Sequence, residues 1–249
     1  MENKPKNYLN DEHLSIGTRE YLRVLNAGGR PVESLPVAEA RKVLADVQAA
    51  VEVDLSGIDE REREIVADGH ALTLHLVRPH GSRGRLPYFV FIHGGGWVLG
   101  DYPTHRRLVR DLVVESEVAA VFVDYTPSPE AKYPQAVDEI YAAVKWVAEN
   151  DAELDLDRRR MALVGNSAGG NMALAAALLA KKRHAPAVRA LVLLWPVTSA
   201  SSDWKSYALY GGERFLCTLF SLQPFLLLFP YPGEPLQGGE ATDLPHGSN

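Results

Sequence analysis

A short apolar run, Met161-Ala162-Leu163-Val164, passes directly into Gly165-Asn166-Ser167-Ala168-Gly169, and an alanine- and leucine-rich run follows from 172 to 180. A buried strand, a sharp turn and a long helix fit these three pieces in order, which is the setting of a G-x-S-x-G nucleophile elbow. A serine at the apex of such a turn needs small neighbours, because strand and helix approach closely there. Gly165, Ala168, Gly169 and Gly170 meet that need. The turn lifts the hydroxyl clear of the backbone and sets it at a helix N-terminus, where unpaired N–H groups and the dipole favour negative charge. G-x-S-x-G also arises by chance in a glycine-rich chain, so its weight depends on what accompanies it.

A second motif lies upstream. The run YFVFI at 88–92 predicts a buried strand and leads straight into His93-Gly94-Gly95-Gly96-Trp97. A glycine run after such a strand lets the backbone itself face a ligand oxygen, with no Cβ in the way. Both motifs, in this order, point to a serine nucleophile served by an oxyanion hole.

The remaining elements follow from periodicity. Tyr21, Leu22 and Leu25 fall at helical spacing before Gly28-Gly29, and a second helix starts near Pro36 with Val37, Ala40, Val43, Leu44 and Val47 on one face. These two helices either cover a site or pack ordinarily on the body. The segments 64–66 and 72–77 alternate around Asp68-Gly69, a hairpin signal. His75 reads as a solvated strand residue, and His70 and His80 as turn residues. Thr104 can cap a helix carrying Leu108, Val109, Leu112 and Val113. VAAVFV at 118–123 and ALVLLW at 190–195 predict two more buried strands, separated by a proline-rich loop (124–134), a helix with Val137, Ile140, Tyr141, Val144 and Val147 on one stripe, and the serine motif with its helix. Asp138 and Glu139 suit the first helix's dipole. Strands alternating with helices from Tyr88 onward predict an α/β fold with a doubly wound, mostly parallel sheet and a leading hairpin.

Composition narrows the function classes. The 249 residues are 46% apolar, enough for one sizeable core. A net charge of −6 with interspersed signs gives no electrostatic reason to bind nucleic acid or an anionic membrane. One cysteine, Cys217, and an N-terminus without an apolar run lead to the expectation of a reducing, cytoplasmic location. The eight histidines are scattered and no metal-ligand spacing occurs, so neither a metal nor another cofactor is expected.

Together, HGGGW, the VDY…PE…YP loop, GNSAGG and LLWPVT resemble the hormone-sensitive lipase group of α/β-hydrolase esterases, in its bacterial branch, over roughly residues 18–216. The resemblance implies an α/β-hydrolase fold, Ser167 as catalytic nucleophile, and an oxyanion hole from the backbone of Gly94, Gly95, Gly96 and Ala168. It implies a small-molecule ester as substrate and an N-terminal lid over the acyl pocket. On this basis 1–50 form the lid helices, 51–214 the core and 215–249 an atypical tail. Trp97 and the short lid helices suggest a pocket for short acyl esters. Two departures lie away from the chemistry: the commoner GDSAGG is GNSAGG here, and Thr126-Pro127-Ser128 replaces the usual arginine-leucine-alanine.

A third departure concerns the chemistry itself. The family supplies its triad acid and histidine after a seventh and an eighth strand, and those last strands are expected to be missing here. From Phe215 to Gly233 no residue is charged and four phenylalanines occur; a Gly- and Pro-rich end follows. Pro224 interrupts this run, so it does not read as a membrane span. The expectation is a family scaffold whose final third is replaced by an unrelated tail. Asp203, Asp243 and His246 are the candidates to complete a triad, without a strand to position the last two. His93 belongs to the glycine loop and His105 to a helix start. Three functional readings stay open: an impaired ester hydrolase, a non-catalytic binder of a small carboxylate or acyl ligand (plant gibberellin receptors share the scaffold without the histidine), or a fragment. An exposed edge strand and the apolar tail would favour self-association.

Overall fold

The computed structural model describes residues 8–25, 30 and 32–199. Two helices, α1 (Ile16–Leu25) and α2 (Val37–Ala49), precede the hairpin β1 (Ile58–Ala67) and β2 (His70–Pro79). The chain then alternates: β3 (Leu86–Ile92), α3 (Tyr102–Ser116), β4 (Ala119–Asp124), α4 (Gln135–Glu149), β5 (Leu156–Asn166), α5 (Ala168–Lys182) and β6 (Ala190–Leu194). The sheet order is β1-β2-β4-β3-β5-β6. β2 pairs antiparallel with β1 and with β4, and the pairs β3–β4, β3–β5 and β5–β6 are parallel.

Local sequence accounts for most of this. Asp68 and Gly69 both take positive φ, 47° and 87°, so the two-residue turn has the left-handed backbone that matches the twist of paired strands. Along β3, Tyr88, Val90 and Ile92 face the core under α4 and α5, while Phe89 and Phe91 face α3. β4 divides its side chains the same way, with Val121 and Val123 on one face and Ala120 and Phe122 on the other. Strands apolar on both faces require helices on both sides of the sheet.

Five expectations need correction. The cap of α3 is Asp101, whose carboxylate accepts from the Thr104 N–H at 2.9 Å, while the Thr104 hydroxyl takes the Asp101 N–H at 2.9 Å. Thr104 is thus the third residue of a reciprocal capping box. His75 is largely enclosed, stacked on Tyr102 at 4.1 Å between ring centroids with Nε2 3.0 Å from Asp124. β6 is not buried: Leu191 and Val192 are 38% and 42% exposed, because among the described residues only β5 pairs with it. On the first two helices, Leu22 and Ala40 are buried but Tyr21, Val43 and Val47 face outward. Glu139, read as a dipole partner, is buried and accepts from the Thr126 N–H at 2.7 Å, tying α4 to the proline-rich loop. Asp203, Asp243, His246 and the segment 215–249 lie outside the described residues. Among the described residues, no helix is long and apolar enough to cross a membrane.

Candidate active site

Ser167 sits between β5 and α5 with φ 53° and ψ −121°, a left-handed backbone that is costly for any side chain bearing a Cβ. The surroundings hold it there. Its N–H donates to Leu194 O on β6 at 2.9 Å, and its carbonyl accepts from Asn171 and Val197 at 3.1 and 3.2 Å. The tightness of the turn explains its glycines: a Cβ at Gly165 would lie 2.5 Å from Gly169 O, and one at Gly169 would lie 2.1 Å from Ile92 O.

The HGGGW loop comes off the end of β3 beside this turn. A Cβ on Gly94 would meet Asn166 O at 2.6 Å and Ser167 Cβ at 3.1 Å, so the glycine backbone lies directly against the serine. Gly95 (φ 116°) and Gly96 (φ 62°) then form a tight turn, closed by Val98 and Leu99 N–H groups donating to Gly95 O at 3.2 and 2.8 Å.

The backbone donors divide into two sets. Gly94 N–H is occupied, donating to the Asn166 side-chain oxygen at 2.9 Å. Among the described residues, the N–H groups of Gly95, Gly96 and Ala168 meet no acceptor. Ala168 opens α5, where a free N–H is expected from helix geometry. Asn166 therefore couples the elbow to the glycine loop, a link that sequence reading missed; the available signal was a lone amide among small residues next to the serine.

His93 and His105 brace the loop from below. His93 is buried; its Nδ1–H donates to Gly94 O at 2.8 Å, its ring stacks on Tyr125 at 4.2 Å, and the Tyr125 hydroxyl donates to His93 O at 3.0 Å. Burial, reinforced by nearby His105, pushes its imidazole down to about 4. His105, on α3, is also lowered by burial; its Nδ1 lies 3.3 Å from Asp101 O and its Nε2 3.5 Å from the Asn166 amide nitrogen. Both rings serve the scaffold, and neither hydrogen-bonds the serine hydroxyl. Trp97 (φ 64°) is only 6% exposed and packs in the core with the α4 and α5 residues. Among the described residues, no group of three or more metal-ligating side chains could hold a metal ion.

This arrangement has clear relatives. A family profile described as α/β hydrolase fold matches residues 89–235. The chain is 32% identical over 206 residues to ethyl acetate hydrolase of Pseudomonas putida, covering 79% of this chain and 65% of that one. It is 38% identical over 147 residues to carboxylesterase NlhH of Mycobacterium tuberculosis, covering 59% of this chain and 46% of the relative's length. Among solved structures, a thermostable esterase from Pseudomonas putida ECU1011 superposes with a TM-score of 0.82 at 48% identity, over 86% of this chain and 67% of that one. The chain belongs to the α/β-hydrolase family, in its hormone-sensitive lipase-like branch of esterases.

Proposed function

We propose that the site is that of a carboxylic ester hydrolase working through a serine acyl-enzyme. The observation that carries this reading is Ser167 at the apex of a strained turn, with the glycine loop packed against it through Gly94 and open N–H groups at Gly95 and Gly96 of that loop and at Ala168 of the elbow. Ser167 Oγ attacks the ester carbonyl as a base takes its proton, and the carbonyl oxygen gains negative charge. That oxygen is held by the three open N–H groups, which need no reorganisation when the charge appears. The tetrahedral intermediate collapses with departure of the alcohol, leaving Ser167 acylated; water then attacks, and the acid leaves with Ser167 restored. Gly94 serves the hole indirectly, through Asn166.

Attack by Ser167 requires a base to take its proton. His93 and His105 are engaged elsewhere, and Asp203, Asp243 and His246 lie outside the described residues. We read the chain as an impaired hydrolase because its sequence from Phe215 onward does not carry the strand-and-loop pattern that would present the family's triad acid and histidine; triad-less serine enzymes keep about 10³–10⁴-fold acceleration over water, far below a working one. The name of the ethyl acetate hydrolase supports short acyl groups. Residues 1–50 as a lid, 51–214 as the catalytic body and a cytoplasmic location belong to the same proposal.

Alkyl fluorophosphonate probes of increasing chain length test this on the full chain. Slow, stoichiometric labelling at Ser167, faster with short alkyl groups and absent in Ser167→Ala, is the expected result. Labelling that survives Ser167→Ala would remove the nucleophile assignment. Rapid labelling would remove the impairment and show that a base is present, and a preference for long alkyl groups would remove the small pocket. A chain that binds a small carboxylate without labelling would be a ligand binder on this scaffold.

A further inference from the structure

Little of α2 is buried: Ala40 is enclosed, while Val43, Val47 and nearby Val51 are 36%, 58% and 53% exposed. Apolar packing on the body therefore does little to fix this helix, and a single side chain supplies much of the specific contact. Arg41 Nε donates to Val98 O at 2.8 Å, and its Nη2 donates to Ser128 O at 3.0 Å. The two terminal nitrogens also grip the Glu130 carboxylate, at 2.8 and 2.7 Å. The fork thus joins three segments that are far apart in the chain.

Two of those segments shape the oxyanion site. Val98 closes the glycine turn by donating to Gly95 O at 3.2 Å, and the Ser128 N–H donates to Trp97 O at 2.8 Å. From Arg41, the path to the backbone of Gly95 passes through one residue of the same turn. A planar guanidinium with five donors can bridge a carboxylate and two carbonyls at once; an ammonium cannot hold that geometry. The Glu130 carboxylate is held down at about 2, chiefly by its hydrogen bonds to Arg41, so the pair stays charged through the ordinary pH range.

We propose that Arg41 is a positioning residue, latching α2 to the loops that aim the Gly95 and Gly96 donors. This deepens the hydrolase reading and rests on it. The helix then acts as more than a passive cover: its seating sets the geometry of the charge-stabilising backbone.

Hydrogen exchange and Ser167 phosphonylation should be measured on the full chain, with Arg41→Met, Arg41→Lys, Glu130→Gln and the double variant Arg41→Met/Glu130→Gln. In Arg41→Met, the amides of Val98, Leu99 and Ser128 should exchange at least about tenfold faster, while those of β4 are unchanged. Labelling of Ser167 should slow about 10- to 100-fold, the scale of a small misplacement of catalytic donors. Arg41→Lys should recover only part of both effects, and the double variant should be no worse than Arg41→Met. Unchanged exchange at Val98, Leu99 and Ser128 overturns the latch. Faster exchange with unchanged labelling overturns the positioning role. If β4 amides also accelerate in Arg41→Met, the milder Arg41→Lys decides by the same criteria. A parent chain that never labels at Ser167 refutes the hydrolase reading instead, and exchange alone then decides the latch.

Discussion

Gly94 lies against Ser167, yet its N–H is not open: it donates to the Asn166 side chain. That one bond fixes the glycine loop relative to the elbow and leaves the next two glycines as donors. Beneath it, His93 is neutral at pH 7, and its state has a thermodynamic consequence. Its ordinary value is about 6.5 in the unfolded chain, and burial lowers it to about 4 in the folded one. Above pH 6.5 neither state holds the proton, so this residue adds no pH dependence. Between about 6.5 and 4 the unfolded chain binds a proton that the folded chain refuses, so stability falls as pH falls; below 4 the effect levels off. The loss is on the order of 3 kcal/mol, at 1.36 kcal/mol per unit. Urea midpoints at pH 7, 5.5 and 4.5 should decline accordingly, and His93→Gln should flatten the slope. An equal slope in that variant would mean that other groups carry the acid sensitivity.

At the level of elements, α3 illustrates how the site loop is joined to the body. Asp101 ends the loop that begins at His93 and caps the helix through a reciprocal pair of hydrogen bonds. The same residue's carbonyl lies 3.3 Å from His105 Nδ1, so the cap also orients the ring that faces Asn166. Replacing a capping aspartate by alanine removes an acceptor for an otherwise unpaired helix N–H and costs about 1 kcal/mol. Asp101→Ala should lower the unfolding free energy obtained from urea titration by that amount, with α3 amides near Thr104 exchanging faster. A change confined to regions remote from α3 would show that the cap contributes nothing there. β1 and β2 need no such device, because the Asp68-Gly69 turn already carries the required twist.

On the scale of the whole molecule, the sheet is unequal at its two sides. Within the described residues, β1 ends it on one side with charged, outward-facing positions, and β6 ends it on the other with Leu191 and Val192 partly exposed and Trp195 68% exposed nearby. A flat, apolar edge strand offers unpaired N–H and C=O groups to another chain, whereas charges discourage such pairing. We propose that the full chain self-associates through the β6 edge. Sedimentation should therefore show concentration-dependent assembly, shifted towards monomer by Val192→Lys. A parent chain that sediments as a monomer at all accessible concentrations would sink this proposal.

How much could be read beforehand follows from the range of each interaction. Apolar spacing with the Asp68-Gly69 turn signal placed the hairpin at 64–66 and 72–77, and spacing placed the alternation from β3 to β6 with the helices between; the charged first part of β1, from Ile58, left no apolar pattern to read. The elbow and glycine loop were legible for a similar reason: only residues without a Cβ fit where an added Cβ would lie 2.0–2.6 Å from another stretch of backbone, so the constraint is written into residue type. The open donors, by contrast, depend on a bond between Gly94 and Asn166, 72 positions apart. The Arg41 contacts span 57 to 89 positions, and the exposure of β6 depends on which strand lies beside it. None of these pairings has a local signature, since a long side chain does not announce its partner. Sequence by itself determined the elements, their order and the chemistry available at Ser167; the tertiary structure decided which polar groups are already paired, and so which remain to act on a ligand.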